Sequence, residues 1–158
     1  MNELRYLGGG DVLADFIEML LTLDAELSVQ RGGRYLSERA FNSLVMGVEE
    51  GGERSIFGPS IAYQDEIPIG LAYLRWHDAA LGDARHRSAE VFVYVKQKYR
   101  NRGVGTEILN KLKEVSNAFD VVELTSVVSP GARSTKSLLE RGSFKGGAIE
   151  MVSYSTRP

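Results

Sequence analysis

The sequence predicts a single mixed α/β domain, and three observations carry that reading. Helix-like and strand-like stretches succeed one another through 158 residues with neither a linker nor an internal repeat, a length that suits one core. Apolar runs joined by a short polar turn predict an antiparallel hairpin before residue 77. Further on, a strand-helix-strand unit from Ala89 to Ser129 demands a parallel crossover, so the sheet must be mixed.

Arg5 to Leu7 reads as a first short strand, ended by Gly8-Gly9-Gly10. Asp11 offers an N-cap, and a helix from near Val12 carries Leu13, Phe16, Ile17, Leu20 and Leu21 at helical spacing. Ser37 caps a second helix with the stripe Ala40, Phe41, Leu44, Val45 and Val48, stopped by Gly51-Gly52. "SIFGPSIAY", the turn at Gln64-Asp65-Glu66 and "IPIGLAYLRWH" then form the hairpin, with Gly70 as a bulge position. Asp78 to Arg87 is a polar loop, and "AEVFVYV", Ala89 to Val95, has the β-branched and aromatic content of a central strand. Val104, Ile108, Leu112 and Val115 mark a helix of about four turns. Val121 to Ser129 is another strand, Arg133 to Arg141 a short helix ended by Gly142, and a last strand runs near Ala148 to Ser155.

Composition narrows the function. Nineteen Lys and Arg against 21 Asp and Glu leave a net charge of −2, without the basic excess that binds nucleic acid regardless of sequence. There is no cysteine, which excludes disulfides, thiolate metal sites and a cysteine nucleophile, and two isolated histidines make a poor metal site. Asp11, Asp15 and Glu18 interrupt the N-terminal apolar stretch, which is too short to span a bilayer and has no basic leader. The expectation is a cytoplasmic protein that uses neither metal, membrane nor nucleic acid.

The chemistry-bearing stretch is "YRNRGVGTEILNKL", Tyr99 to Leu112, between the central strand and its helix. A helix N-terminus presents unpaired amides and the positive end of the helix dipole, which together suit an anion. Gly103 and Gly105 remove side chains that would block close approach, and Arg100 and Arg102 add positive charge. A P-loop would need Lys-Ser/Thr after the second glycine, where Thr106-Glu107 stands. A dinucleotide fingerprint would need a third glycine where Ile108 stands. A plain turn using glycine for left-handed dihedrals is the bland alternative.

The segment "AEVFVYVKQKYRNRGVGTEILNKL" resembles motif A of the GNAT superfamily of acyl-CoA-dependent N-acyltransferases, with Arg100, Gly103 and Gly105 at the pattern's fixed positions. The resemblance implies a GNAT fold across residues 1–158, in which a central parallel pair of strands splays apart to admit the acyl-CoA. Carried over, the strand at Val93, Tyr94 and Val95 would hold the pantetheine arm. The amides of Arg100, Asn101, Arg102, Gly103, Val104, Gly105 and Thr106 would cradle the pyrophosphate.

The resemblance also implies acetyl transfer from acetyl-CoA to a small-molecule or protein amine by direct attack. Neutralising the amine requires a base. Glu90 is the candidate, because "AEVFVYV" is similar to phosphinothricin acetyltransferase-like members, where such a glutamate has base character. Alternation puts Glu90, Phe92 and Tyr94 on one face, with Glu90 and Tyr94 ~13 Å apart. The family's general acid, a tyrosine in the last helix, is replaced by Leu139, and its asparagine by Ala132. Ser134 is the substitute proton donor, with Ser137, Tyr154 or water as alternatives. His77 and His86 flank the loop where a substrate would enter, and Arg31 to Arg34 form a basic turn in the region that shapes the acceptor pocket. In this fold the last strands often pair across a homodimer. The missing tyrosine and asparagine keep a second class open, a non-catalytic acyl-CoA-binding module.

Overall fold

Strand pairing in the computed structural model, which describes residues 3–6, 10–31, 42, 55–76, 88–127, 133–146 and 151–155, gives one seven-stranded sheet. Its strands are β1 (Glu3–Tyr6), β2 (Ser55–Gln64), β3 (Ile67–Trp76), β4 (Ser88–Val95), β5 (Glu123–Val127), β6 (Lys145–Gly146) and β7 (Met151–Ser155). They lie in the order β1-β2-β3-β4-β5-β7-β6. Only β4 and β5 are parallel; every other pairing is antiparallel. The α-helices bounded within the described residues are α1 (Gly10–Arg31), α2 (Val104–Ala118) and α3 (Arg133–Arg141). Of the second helix expected from Ser37 only Asn42 is described, and it is helical; His77, His86, residues 32–34 of the basic turn and Ala132 lie outside the described residues.

Alternation along the strands sends side chains to two cores. On one face Phe16, Met19, Leu20 and Leu23 of α1 pack with Ile61, Tyr63, Leu71 and Tyr94. On the other, Ile108, Leu109 and Leu112 of α2 and Leu139 of α3 pack with Val91, Val93 and Val95. The first helix differs from its expected form in two ways. It begins at Gly10, so Asp11 falls within the helix rather than before it. Its buried stripe runs through Phe16, Met19, Leu20 and Leu23, and Leu21 is 55% exposed, so the face that meets the sheet is rotated from the one the apolar spacing suggests.

Asp65 and Glu66 form the hairpin's two-residue turn, both at positive φ (50° and 62°), the twist that matches paired strands. The β3 bulge falls at Ile69 rather than Gly70, since Ala62 faces Gly70 while Tyr63 faces Pro68. This extra residue puts Ile69 and Leu71 in opposite cores although they are two apart.

The end of α3 also shifts by one residue. Ser143, not Gly142, takes the left-handed conformation, with φ 69°. Ser143 N–H donates to Glu140 O and Phe144 N–H to Leu139 O, both at 3.0 Å, which closes the helix in a Schellman motif. Gly142 is bare because a Cβ there would lie 2.6 Å from Leu109 Cδ2. Ser143→Gly relieves the serine's left-handed strain and is expected to stabilise the protein by about 1 kcal/mol. Thermal unfolding should read this as a rise of about 2–4 °C in Tm.

Candidate functional site

Between β4 and α2 the chain makes a short 3-10 turn, Gln97–Tyr99, and then a tight loop. Asn101 (φ 60°) and Gly103 (φ 83°) are both left-handed, and such alternation curls backbone amides around a concavity that suits an anion. Gly103 is the N-cap of α2 and makes no side-chain cap bond. The helix's first bond runs from Glu107 N–H to Gly103 O at 3.0 Å, so the amides of Val104, Gly105 and Thr106 precede any intrahelical acceptor. Nothing lies within 4 Å of where a Cβ on Gly103 would stand. The loop fits an anionic group on those grounds.

A cleft of about 80 Å³ opens at this loop, small beside the few hundred Å³ of most ligand pockets, as suits a seat for one portion of a long ligand. Val93, Tyr94 and Val95 supply its strand wall. Arg100, Asn101, Gly103, Gly105 and Thr106 supply its floor. Val104 is instead buried in the core at 4% exposure, which leaves it only its amide, and Arg102 is exposed outside the cleft lining. The remaining wall is α3, through Ser134, Thr135, Leu138 and Arg141. Of these four, the sequence points to Ser134 alone. Their spacing at i, i+1, i+4 and i+7 is a helix face and was the available signal.

Arg100 is not a loose cation. Its Nε donates to Val95 O at 2.8 Å and its guanidinium pairs with Glu26 of α1. The other oxygen of Glu26 accepts the Tyr94 hydroxyl at 2.9 Å. Burial pushes the Tyr94 phenol well above its ordinary value, and the bond and charge of Glu26 push it the same way, so the phenol remains a donor. Sequence reasoning missed Glu26 altogether.

Pairing between β4 and β5 stops after three steps, at Glu90 opposite Thr125, so the two strands part toward the loop. Glu90, the expected base, stands at that parting point, about 17 Å of strand from Val95, and does not line the cleft. Its Oε2 accepts Arg75 Nε at 2.7 Å and lies 2.6 Å from the second guanidinium nitrogen. On α3, Leu139 turns away from the cleft into the core at 2% exposure, and Leu138 faces the cleft instead. Ser137 accepts a hydrogen bond from Arg141 at 3.0 Å, and Tyr154 stands on β7 opposite Leu124. Among the described residues no three His, Asp or Glu side chains gather as a metal site, and no helix is long and apolar enough to cross a membrane.

Comparison with solved structures finds the same architecture. An acetyltransferase of the GNAT family from Staphylococcus aureus Mu50 superposes with a TM-score of 0.73 at 10% identity, covering 99% of this chain and 100% of that one. PaiA N-acetyltransferase from Thermoplasma acidophilum, solved with coenzyme A, gives 0.69 at 15% identity over 98% and 99%. The ribosomal-protein-S18-alanine N-acetyltransferase from Escherichia coli gives 0.67 at 17% identity over 99% and 94%. No curated protein matches the sequence. The model of the acetyltransferase (GNAT) family matches residues 20–141, spanning the parted strands, the glycine loop and the cleft-facing helix, and the chain belongs to that family.

Proposed function

We propose that the protein transfers an acetyl group from acetyl-CoA to a primary amine by direct attack in a ternary complex. The observation that carries this reading is the parting of β4 from β5 after Glu90 and Thr125, in line with a loop whose amides lack intrahelical acceptors. Acetyl-CoA supplies the acetyl group already activated as a thioester. The loop amides from Arg100 to Thr106 hold its diphosphate, and the backbone of Val93 and Val95 holds its pantetheine arm. Glu90 takes a proton from the amine, so that the nitrogen lone pair is free to attack. Ser134 and Thr135 are the α3 hydroxyls on the cleft, and they supply the proton that the departing thiolate needs. An amine acceptor is supported by the similar structures named as N-acetyltransferases. The likeness of "AEVFVYV" to phosphinothricin acetyltransferase-like members supports the base role of Glu90.

Leu138 favours a second reading, a module that binds acyl-CoA without turning it over, because this cleft-facing position of α3 is apolar and offers no proton. Thermal unfolding with acetyl-CoA, CoA and NAD tests the binding common to both. A ligand at one hundred times its Kd adds about 2.7 kcal/mol, roughly 5–10 °C in Tm for a domain of this size. A shift with acetyl-CoA and CoA but not NAD is expected; no shift with any of them overturns both readings. Turnover of an amine panel by the shifted protein then separates enzyme from module.

A further inference from the structure

Among the described contacts of α1 carboxylates with the sheet and the segment after β4, Asp15 accepts the Tyr63 hydroxyl at 2.5 Å, Glu18 pairs with Lys96 at 3.0 Å, and Glu26 reaches Tyr94 and Arg100. Of these three, Glu26 is the one that touches residues lining the cleft. It does so with both oxygens, one on the strand wall and one on the loop, and its side chain is 17% exposed against 23% for Arg100. We propose that Glu26 is a positioning residue for the diphosphate seat, acting through Arg100. This rests on the acyl-CoA reading above.

A guanidinium on a loop has many rotamers, and ordering it on binding opposes affinity. Here two contacts fix it in advance: Nε on Val95 O, and the bond to Glu26. These engage two of the five N–H donors of an arginine and leave the fork oriented beside the cleft. The Arg100 carbon also lies 5.8 Å from the centre of the Tyr94 ring, so the ring backs the guanidinium that Glu26 holds. Two effects of the carboxylate oppose each other. Its charge repels a diphosphate, whereas its grip on Arg100 prepays the ordering. Short contacts at low exposure make the grip the larger effect, since a charge-assisted bond is strong and geometrically demanding.

Calorimetric Kd values for CoA decide it, because they need no turnover. Glu26→Gln keeps an acceptor for Tyr94 and nearly the same shape while losing the ion pair. It is expected to weaken CoA by about tenfold, and to add nothing further in an Arg100→Gln background, as coupled residues do. Asp15→Asn makes the matching change at the other tyrosine anchor of α1, away from the cleft, removing the charge while keeping an acceptor for Tyr63; it should leave Kd unchanged. Parent-like or tighter binding by Glu26→Gln overturns the role, as does an additive loss in the double variant or an equal loss with Asp15→Asn. A parent protein that binds no CoA overturns this inference together with the reading beneath it, whereas a binding parent and an indifferent Glu26→Gln overturns this inference alone.

Discussion

Gly105→Val is expected to raise the Kd for CoA at least about a hundredfold, a loss of about 2.7 kcal/mol, while leaving a folded protein. A Cβ on Gly105 would stand 2.9 Å from Leu138 Cδ2, 3.4 Å from Cδ1 and 3.7 Å from Val95 Cγ2. The first distance is too short for carbon atoms to keep. Leu138 is half-buried and lines the cleft, so its side chain can yield only by moving within the space that the ligand uses. Valine adds two further carbons at a branched Cβ with little rotamer freedom in a helix. Folding survives because the obstructing atoms are the ends of a side chain, not backbone. The cause differs from the one the sequence suggests. Gly103 is the residue whose missing side chain leaves open space, whereas Gly105 makes room for the opposite wall. A Gly105→Ala variant and its Leu138→Ala partner separate the two causes by calorimetry. If the clash is with Leu138, truncating it restores much of the affinity lost by Gly105→Ala. If the new methyl meets the diphosphate directly, the double variant binds no better than Gly105→Ala.

How far the sequence reveals this site depends on how local each part is. The loop is legible because its signals lie within seven residues and follow from backbone needs: left-handed φ at Gly103 and a strand-to-helix turn. The parallel crossover is legible for a similar reason, since two parallel strands cannot be joined without a long connection. Leu138 and Leu139 mark the limit. Adjacent helix positions differ by about 100° in direction, so placing either one against the family's tyrosine depends on a one-residue register that neighbouring leucines do not declare. The sheet resolves it by taking Leu139 into the core. Glu26 is illegible for a different reason. It is one of several carboxylates on α1, and its partners are 68 and 74 positions away, at Tyr94 and Arg100. Only the packing of α1 across β4 selects it. The Ile69 bulge is similar, because it is a matter of register between two strands rather than of either alone.

Glu90→Gln should lower kcat by about a hundredfold or more, within the range of a lost general base, with the Kd for acetyl-CoA within about twofold of the parent value. The split follows from position. Glu90 occupies the last paired step before the parallel strands separate, and it is absent from the cleft at the glycine loop. A change there reaches the parting point without touching the diphosphate seat. Glutamine preserves size and can still accept from Arg75, but it cannot take a proton at neutral pH. Stability should move little, because Arg75 is 48% exposed and a pair screened by water is worth about 0–1 kcal/mol. Both contacts with Arg75 fall on Oε2, so proton transfer through Oε1 does not require the ion pair to break. Arg75→Gln therefore gives a second readout. It should retain measurable turnover, since the glutamate keeps both of its oxygens when the ion pair is removed. Turnover of Glu90→Gln equal to the parent's would remove the carboxylate from the chemistry and leave amine deprotonation to solvent. A parallel rise in Kd would instead show Glu90 acting on the shape of the strands.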